Sequence, residues 1–128
     1  MGVVHHASYW PWLEMARTEL LRESGVSYAQ LEAEGVFLVI VEVQGKYRRP
    51  ARYDDVLEIR VKVVDGSPVK IRHQYEVVRV EAGAGPGAPT GEAAKEELTL
   101  MTAATTLACV GRDGRVRTLP EWLVPTSG

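Results

Sequence analysis

Residues 8–24 have the sequence SYWPWLEMARTELLRES, which carries one stripe of apolar side chains at helical spacing. The stripe consists of Tyr9, Trp12, Leu13, Ala16 and Leu20. Separations of three and four residues put these side chains on one side of an α-helix. Ser8 is suited to cap the start of the helix, and Gly25 can adopt the left-handed conformation that commonly ends one. The segment therefore predicts one long amphipathic helix.

Downstream of this helix the periodicity changes. Ser27 and Gln30 have the spacing of a capping box, which predicts a short helix from Ser27 to Glu34. Alternation of apolar and polar residues then predicts four long strands, each with one face toward a core and the other toward water. They are Val36 to Tyr47, Asp55 to Val64, Val69 to Glu81 and Lys95 to Val110. In the third strand the apolar positions shift from odd to even numbers between Val77 and Val78, which predicts a bulge or a bend.

The order of these elements predicts an α+β fold, with the long helix packed on one face of a curved antiparallel sheet. Residues 82–94 are rich in glycine, proline and alanine without periodicity, so we expect a flexible connection of no intrinsic structure there. The 128 residues fit a single domain, 1–128. Exposed strand edges and a small core favour a homo-oligomer.

Composition and charge exclude several classes of function. A net charge of −2, from 15 basic and 17 acidic residues, lacks the basic surface that nucleic acid or an anionic membrane demands. The longest apolar run, Val36 to Val41, is far shorter than a membrane span, and a cytoplasmic protein is expected. The single Cys109 is expected to be structural. His5, His6 and His73 form no metal-ligand pattern, so neither a metal nor another cofactor is predicted.

The densest run of potentially functional groups surrounds the start of the first helix. The N-terminus of a helix presents unpaired N–H groups and partial positive charge, which can polarise a carbonyl oxygen or hold an oxyanion. His6 lies immediately before that end. Paired histidines near a chain terminus are also commonly solvent-exposed, and His5 is best explained in this way.

Three stretches carry a resemblance to a known family. They are GVVHHASYWPWLEMARTELLRESG from Gly2 to Gly25, KYRRPARYDDVLEI from Lys46 to Ile59 and TTLACVGRDGRVRTLPE from Thr105 to Glu121. Together they resemble the 4-hydroxybenzoyl-CoA thioesterase family, and specifically its Tol-Pal-associated branch of acyl-CoA thioesterases. The resemblance spans nearly the whole chain, with its blocks in the family's order.

The resemblance implies a hotdog fold that forms a homodimer or homotetramer, with active sites between subunits that hydrolyse an acyl-CoA thioester. It implies that His6 lies beside the thioester as a catalytic residue, and that Gly2, Ser8 and Tyr9 contact the substrate. Arg48 and Arg49 are candidate ligands for the phosphates of coenzyme A, and a solvated basic turn is the other interpretation. Asp54 and Asp55 match a family motif, and they equally suit a turn in which a carboxylate caps backbone N–H groups.

The family's catalytic carboxylate raises a separate question, because the corresponding aspartate would lie two residues before Met1. A carboxylate can attack the thioester or activate water. Three explanations remain open: the natural protein starts upstream of Met1, Glu14 on the helix supplies the carboxylate, or the chain is a non-catalytic domain that binds acyl-CoA or an acyl carrier. An exposed Glu14 paired with Arg17 or Thr18 is the structural alternative for that residue.

Overall fold

The computed structural model describes residues 9–52, 54–85 and 87–123, apart from the side chain of Trp122. Two helices, α1 (Tyr9–Glu23) and α2 (Tyr28–Ala33), precede four strands. The strands are β1 (Phe37–Tyr47), β2 (Val56–Ser67), β3 (Lys70–Glu81) and β4 (Leu98–Val110). Short 3-10 turns lie at Gly91–Lys95 and Glu121–Leu123. Among the described residues, none of the helices is long and apolar enough to span a membrane.

The helix boundaries follow local chemistry that the sequence displays. Gly25, just beyond α1, has a φ of 92° and so takes the left-handed conformation predicted for it. The capping box of α2 is confirmed, since the Gln30 N–H donates to Ser27 Oγ at 3.2 Å and the Ser27 N–H donates to Gln30 Oε1 at 2.7 Å. The predicted cap of α1, Ser8, lies outside the described residues.

The four strands form one antiparallel sheet in the order β1-β4-β3-β2. The predicted irregularity between Val77 and Val78 is confirmed: Val77 pairs with Met101 and Val78 with Thr99, so Leu100 of β4 is left over as a bulge. The Leu100 carbonyl oxygen accepts hydrogen bonds from the N–H groups of Arg48 and Arg49, at 2.8 and 3.1 Å. The bulge therefore anchors the chain where it leaves β1.

The helices cover one face of the sheet and enclose the core there, as the predicted α+β arrangement requires. The first of two buried clusters lies beneath α1 and comprises Tyr9, Leu13, Ala51, Tyr75, Val77, Leu100, Met101 and Ala103. The second comprises Leu21, Leu31, Val36, Ile71, Cys109 and Leu119. Cys109 is fully buried in this second cluster, in agreement with a structural role.

Two sequence-based expectations need correction. The first is that residues 82–94 lack structure: Gly91–Lys95 forms a 3-10 turn, and the Ala82 N–H donates to the Ala94 carbonyl. Asp55 also fixes this connection, because its carboxylate accepts from the N–H groups of Arg52 and Gly83, at 2.9 and 2.8 Å. The turn-capping interpretation of Asp55 is thus confirmed, and β4 starts at Leu98 rather than Lys95.

The second correction concerns β1, for which one buried face was predicted. From Val39 onward every residue of β1 is exposed. Val41 and Val43 remain 54% and 49% accessible, because β1 is an edge strand and α1 packs chiefly on β2. A strand with apolar residues exposed at a free edge is suited to pairing with another chain.

Near its end, β1 passes directly beneath the Trp10 ring. A Cβ atom added to Gly45 would lie 3.0 Å from Trp10 Cζ2 and 3.2 Å from Met101 Cε, closer than ordinary packing allows. The Trp10 Nε1–H donates a hydrogen bond to the Tyr47 hydroxyl at 3.0 Å. Gly45 therefore lets the first turn of α1 approach the strand.

We expect Gly45→Ala to destabilise the protein by about 1–3 kcal/mol through overpacking, although alanine is ordinarily the better strand residue. Urea denaturation measures the change in the free energy of unfolding. In a Trp10→Leu background the same substitution should cost much less, because the ring that it meets is gone. An equal cost in both backgrounds would show that the contact with Trp10 is not the cause.

Candidate active site

The first turn of α1 is fastened to the end of β1 and to the segment after it. The Tyr9 hydroxyl accepts a hydrogen bond from the Ala51 N–H at 3.2 Å, and the Tyr9 and Tyr47 rings lie 5.8 Å apart. Tyr9 itself is 1% exposed, and burial raises the pKa of its phenol, so the hydroxyl stays neutral at physiological pH. Its geometry is that of an anchor for the helix start; the substrate contact predicted for it stays a prediction.

Glu14 lies one turn after Trp10 on α1, and four-residue spacing puts both on the side of the helix that faces β1. Glu14 is exposed. The Thr18 hydroxyl donates to the backbone carbonyl of Glu14 at 2.9 Å, whereas Arg17 points toward Tyr28 and Tyr75. In the described part of the chain, the Glu14 carboxylate therefore has neither of the partners that a purely structural role would supply.

The other residues predicted at the helix start are Gly2, His6 and Ser8, which lie outside the described residues, as does His5. Their roles stay predictions. The described residues begin with the start of α1, which is held against the C-terminal end of the edge strand β1. The exposed carboxylate of Glu14 lies one turn along this helix.

Arg48 and Arg49, the candidate phosphate ligands, directly follow β1 and are both exposed. Their backbones are fixed by the Leu100 carbonyl, so their side chains start from defined positions. Arg48 lines a groove of about 620 Å³ on the face of the sheet opposite α1, and Arg49 is not among the residues that line it. The structure thus separates two arginines that the sequence treats as a pair.

Sequence reasoning missed a partly buried polar cluster between α1 and the sheet. Arg17 donates to the hydroxyl groups of Tyr28 and Tyr75, both at 3.2 Å, and the Tyr75 hydroxyl lies 2.8 Å from Thr105 Oγ1. The signal available in the sequence was the position of Arg17, four residues after Leu13 and four before Leu21, which places a cation on the buried side of the helix. The cluster ties α1 to both α2 and the sheet.

His73 borders this cluster, with its ring 6.2 Å from that of Tyr75. The side chain is 6% exposed, and its Nδ1 has no hydrogen-bond partner. Burial, together with the charge of Arg17, lowers the pKa of His73 to about 4, so the imidazole is neutral near pH 7. Within the described ranges, no group of three metal-binding side chains surrounds it.

The lowered pKa of His73 predicts acid sensitivity. The folded state disfavours the charged form of the His73 imidazole. The stability that the neutral side chain contributes is therefore complete above pH 6.5 and is lost as the pH falls toward 4. The loss should total about 3 kcal/mol, at about 1.4 kcal/mol per pKa unit. Urea denaturation between pH 7.5 and 4 should show this loss in the wild type and a shallower one in His73→Leu. Identical pH profiles for the two proteins would contradict the assignment.

Known proteins are similar to this chain in sequence and in fold. An Escherichia coli protein, acyl-CoA thioester hydrolase YbgC, is 39% identical over 80 residues, which are 62% of this chain and 60% of that protein. A Bacillus subtilis protein, putative acyl-CoA thioesterase YneP, is 30% identical over 77 residues, or 60% of this chain and 56% of that one. The matches thus cover less than two thirds of these two relatives.

Among solved structures, a probable thioesterase from Bartonella henselae superposes with a TM-score of 0.73 at 26% identity, covering 93% of this chain and 86% of that one. The predicted hotdog arrangement of a long helix on a curved antiparallel sheet is thereby confirmed. Residues 1–125 match the thioesterase-like superfamily as a whole. Because that match takes in nearly the entire chain, the protein belongs to the thioesterase-like superfamily.

Proposed function

We propose that this protein hydrolyses the thioester bond of an acyl-CoA, releasing a free acid and coenzyme A. The superfamily match over residues 1–125 carries the proposal. The names of the Escherichia coli and Bacillus subtilis relatives, both acyl-CoA thioester hydrolases or thioesterases, support it. The sequence resemblance to the Tol-Pal-associated branch belongs to the same proposal.

The proposed chemistry uses the start of α1. N–H groups in the first turn of a helix lack intrahelical acceptors, so they can stabilise the oxyanion that forms when water attacks the thioester carbonyl. His6 and Ser8 lie beside that carbonyl, and Gly2 and Tyr9 complete the substrate contacts. A carboxylate takes a proton from the attacking water and returns it to the sulfur of the departing coenzyme A, so that one thioester and one water give one acid and one thiol.

Within this chain we assign the carboxylate to Glu14. Its side chain is exposed on the β1 side of α1, one turn from Trp10, and its carboxylate forms no hydrogen bond or ion pair with any described residue. A carboxylate other than that of Glu14 is the alternative source. Substitution of Glu14 distinguishes the two sources.

We expect Glu14→Gln to lower kcat by roughly a hundredfold or more, the usual contribution of a positioned general base. Release of free thiol from a panel of short, long and aromatic acyl-CoAs measures turnover. Glu19→Gln is the matched control, because Glu19 is exposed on the same helix but paired with Arg22 at 2.8 Å. Full activity in Glu14→Gln would assign the carboxylate elsewhere. Binding of acyl-CoA without turnover by the unmodified chain would instead indicate a non-catalytic binding domain.

The two neighbouring histidines provide a second test of the helix start. We expect His6→Ala to lower kcat/KM by about tenfold or more, as expected when a polar group beside the reacting carbonyl is lost, and His5→Ala to have little effect. The same thiol-release measurement applies, with circular dichroism to check that both variants fold. Equal, negligible effects would remove His6 from the site.

We further infer that β1 forms the contact between two copies of the chain in a homodimer or homotetramer. Its exposed valines and Ile40 lie along an edge whose N–H and C=O groups face no other strand among the described residues. Pairing there would bury this apolar edge and bring a second subunit alongside Glu14. A cytoplasmic location, supported by the ordinary composition and lone cysteine, completes the proposal.

Val43→Lys should shift the protein toward a monomer, because a charge at a paired apolar edge is costly to bury. Sedimentation velocity gives the mass and also distinguishes a dimer from a tetramer. Val63→Lys is the matched control, since Val63 is similarly exposed, at 45%, but lies on β2 at the opposite edge. An unchanged mass in Val43→Lys, or the same change in both variants, would place the contact elsewhere.

A further inference from the structure

The face of the sheet that points away from α1 contains a groove of about 620 Å³. This volume falls within the range of about 300–1,000 Å³ that is usual for small-molecule sites. The small side chains of Thr102 and Ala104 on β4 form its floor, and longer side chains of the flanking strands form its walls. The groove thus exists because the strand at its centre carries little volume on this face.

Strand register orders the groove into rows. Lys46 of β1 lies opposite Thr102, which in turn lies opposite Glu76 of β3. In the next row Gln44 and Gln74 flank Ala104, and Lys62 of β2 continues the row beyond Gln74. Side chains directly opposite one another in an antiparallel sheet point to the same face, so the two rows form one continuous surface.

Five cationic side chains and a single carboxylate line this groove. Arg60 is already engaged, since it forms ion pairs with Glu58, Glu76 and Glu97 at 3.1, 3.6 and 2.9 Å. The remaining four cations, Lys46, Arg48, Lys62 and Arg72, have no ion pair within the described part of the chain. A protein whose net charge is −2 therefore concentrates unpaired positive charge on one concave surface.

Residues 45–48 contact the start of α1 on one side of the sheet and line the groove on the other. Side chains alternate between the faces of a strand. Gly45 and Tyr47 therefore turn toward Trp10 and Tyr9, whereas Lys46 and Arg48 line the groove. A flexible ligand that crosses the end of β1 reaches both places.

We propose that this groove binds the phosphate groups of coenzyme A, while the pantetheine arm crosses the end of β1 and delivers the thioester to α1. The inference rests on the proposed thioesterase function and adds Lys46, Lys62 and Arg72 to the substrate site. Ammonium and guanidinium groups spaced around a concave surface suit several phosphate oxygens at once. The hydroxyl of Thr102 and the amides of Gln44 and Gln74 supply neutral hydrogen bonds.

Binding is tested first, without any need for turnover. Calorimetric titration compares coenzyme A, dephospho-coenzyme A and pantetheine, which carry progressively fewer phosphates. We expect affinity to fall in that order and to weaken with added salt. Lys46→Gln and Lys62→Gln should each raise the Kd for coenzyme A about three- to tenfold, as for partly exposed charge-assisted contacts. Arg115→Gln, an exposed cation in the hairpin after β4, is the control and should leave the Kd unchanged.

Equal affinity for coenzyme A and pantetheine, or no effect of either lysine substitution, would overturn the proposal. Inorganic pyrophosphate and ADP identify the source of the phosphate. Both should compete with coenzyme A if they share its subsite. If Lys46→Gln or Lys62→Gln weakens the binding of ADP while ADP leaves the affinity for coenzyme A unchanged, the groove binds a free nucleotide instead, which also overturns the proposal.

Kinetics then separates this inference from the proposed activity. An acyl-CoA and the S-acyl-N-acetylcysteamine thioester share the same acyl group, but only the first contains phosphates. The lysine variants should raise KM for the acyl-CoA about three- to tenfold each, leave its kcat near that of the wild type and not alter hydrolysis of the truncated thioester. Equal losses on both substrates would indicate a structural effect. If neither substrate is hydrolysed, the proposed function fails, while the titrations still decide whether the groove binds coenzyme A.

Discussion

The contact between the first turn of α1 and the end of β1 determines where the functional groups lie. Trp10 packs over Gly45, and Tyr9 is hydrogen-bonded to the backbone of Ala51. These contacts join parts of the chain that are more than 30 residues apart, so they convert a local helix into a tertiary element. Without them the first turn of α1 would have no defined position on the sheet. The polar end of the helix would then face no particular strand.

A second set of contacts fixes the middle of α1, and it is polar. Arg17 bonds to Tyr28 on α2 and to Tyr75 on β3, and Tyr75 bonds on to Thr105 on β4. A partly buried guanidinium is costly unless its hydrogen bonds are satisfied, so this cluster favours one arrangement of α1, α2 and the sheet. The unpaired Nδ1 of His73 is the cost that remains. Burial of His73 near the charge of Arg17 lowers its pKa and makes the same layer of the molecule sensitive to acid.

The elements were predictable from the sequence because their signals are local. The stripe from Tyr9 to Leu20 defines α1, and Ser27 with Gln30 defines the start of α2. Two adjacent apolar residues, Val77 and Val78, revealed the bulge because they break a period of two. The exposure of β1 was not predictable in this way, because alternation within a strand does not reveal that it lies at an edge of the sheet.

The missed features depend on register and on distant partners. Arg17 and Tyr75 are 58 residues apart, and nothing in the local pattern of either residue names the other. The clustered charge suggested Arg48 and Arg49 together, yet of these two only Arg48 lines the groove. Lys46, Lys62 and Arg72 lie on three separate strands, and no local sequence signal links them. The register between the strands brings their side chains together on one surface.

The run TAATT, residues 102–106 of β4, connects both faces of the molecule. Ala103 lies in the core beneath α1, and its small side chain sits in the same row as Gly45, where the helix approaches closely. Thr102 and Ala104 point to the other face and leave the groove open. A large residue at 103 would press on the helix layer, whereas one at 102 or 104 would fill the groove without disturbing it. Small side chains in the central strand therefore permit a closely packed helix on one face and a ligand-sized hollow on the other.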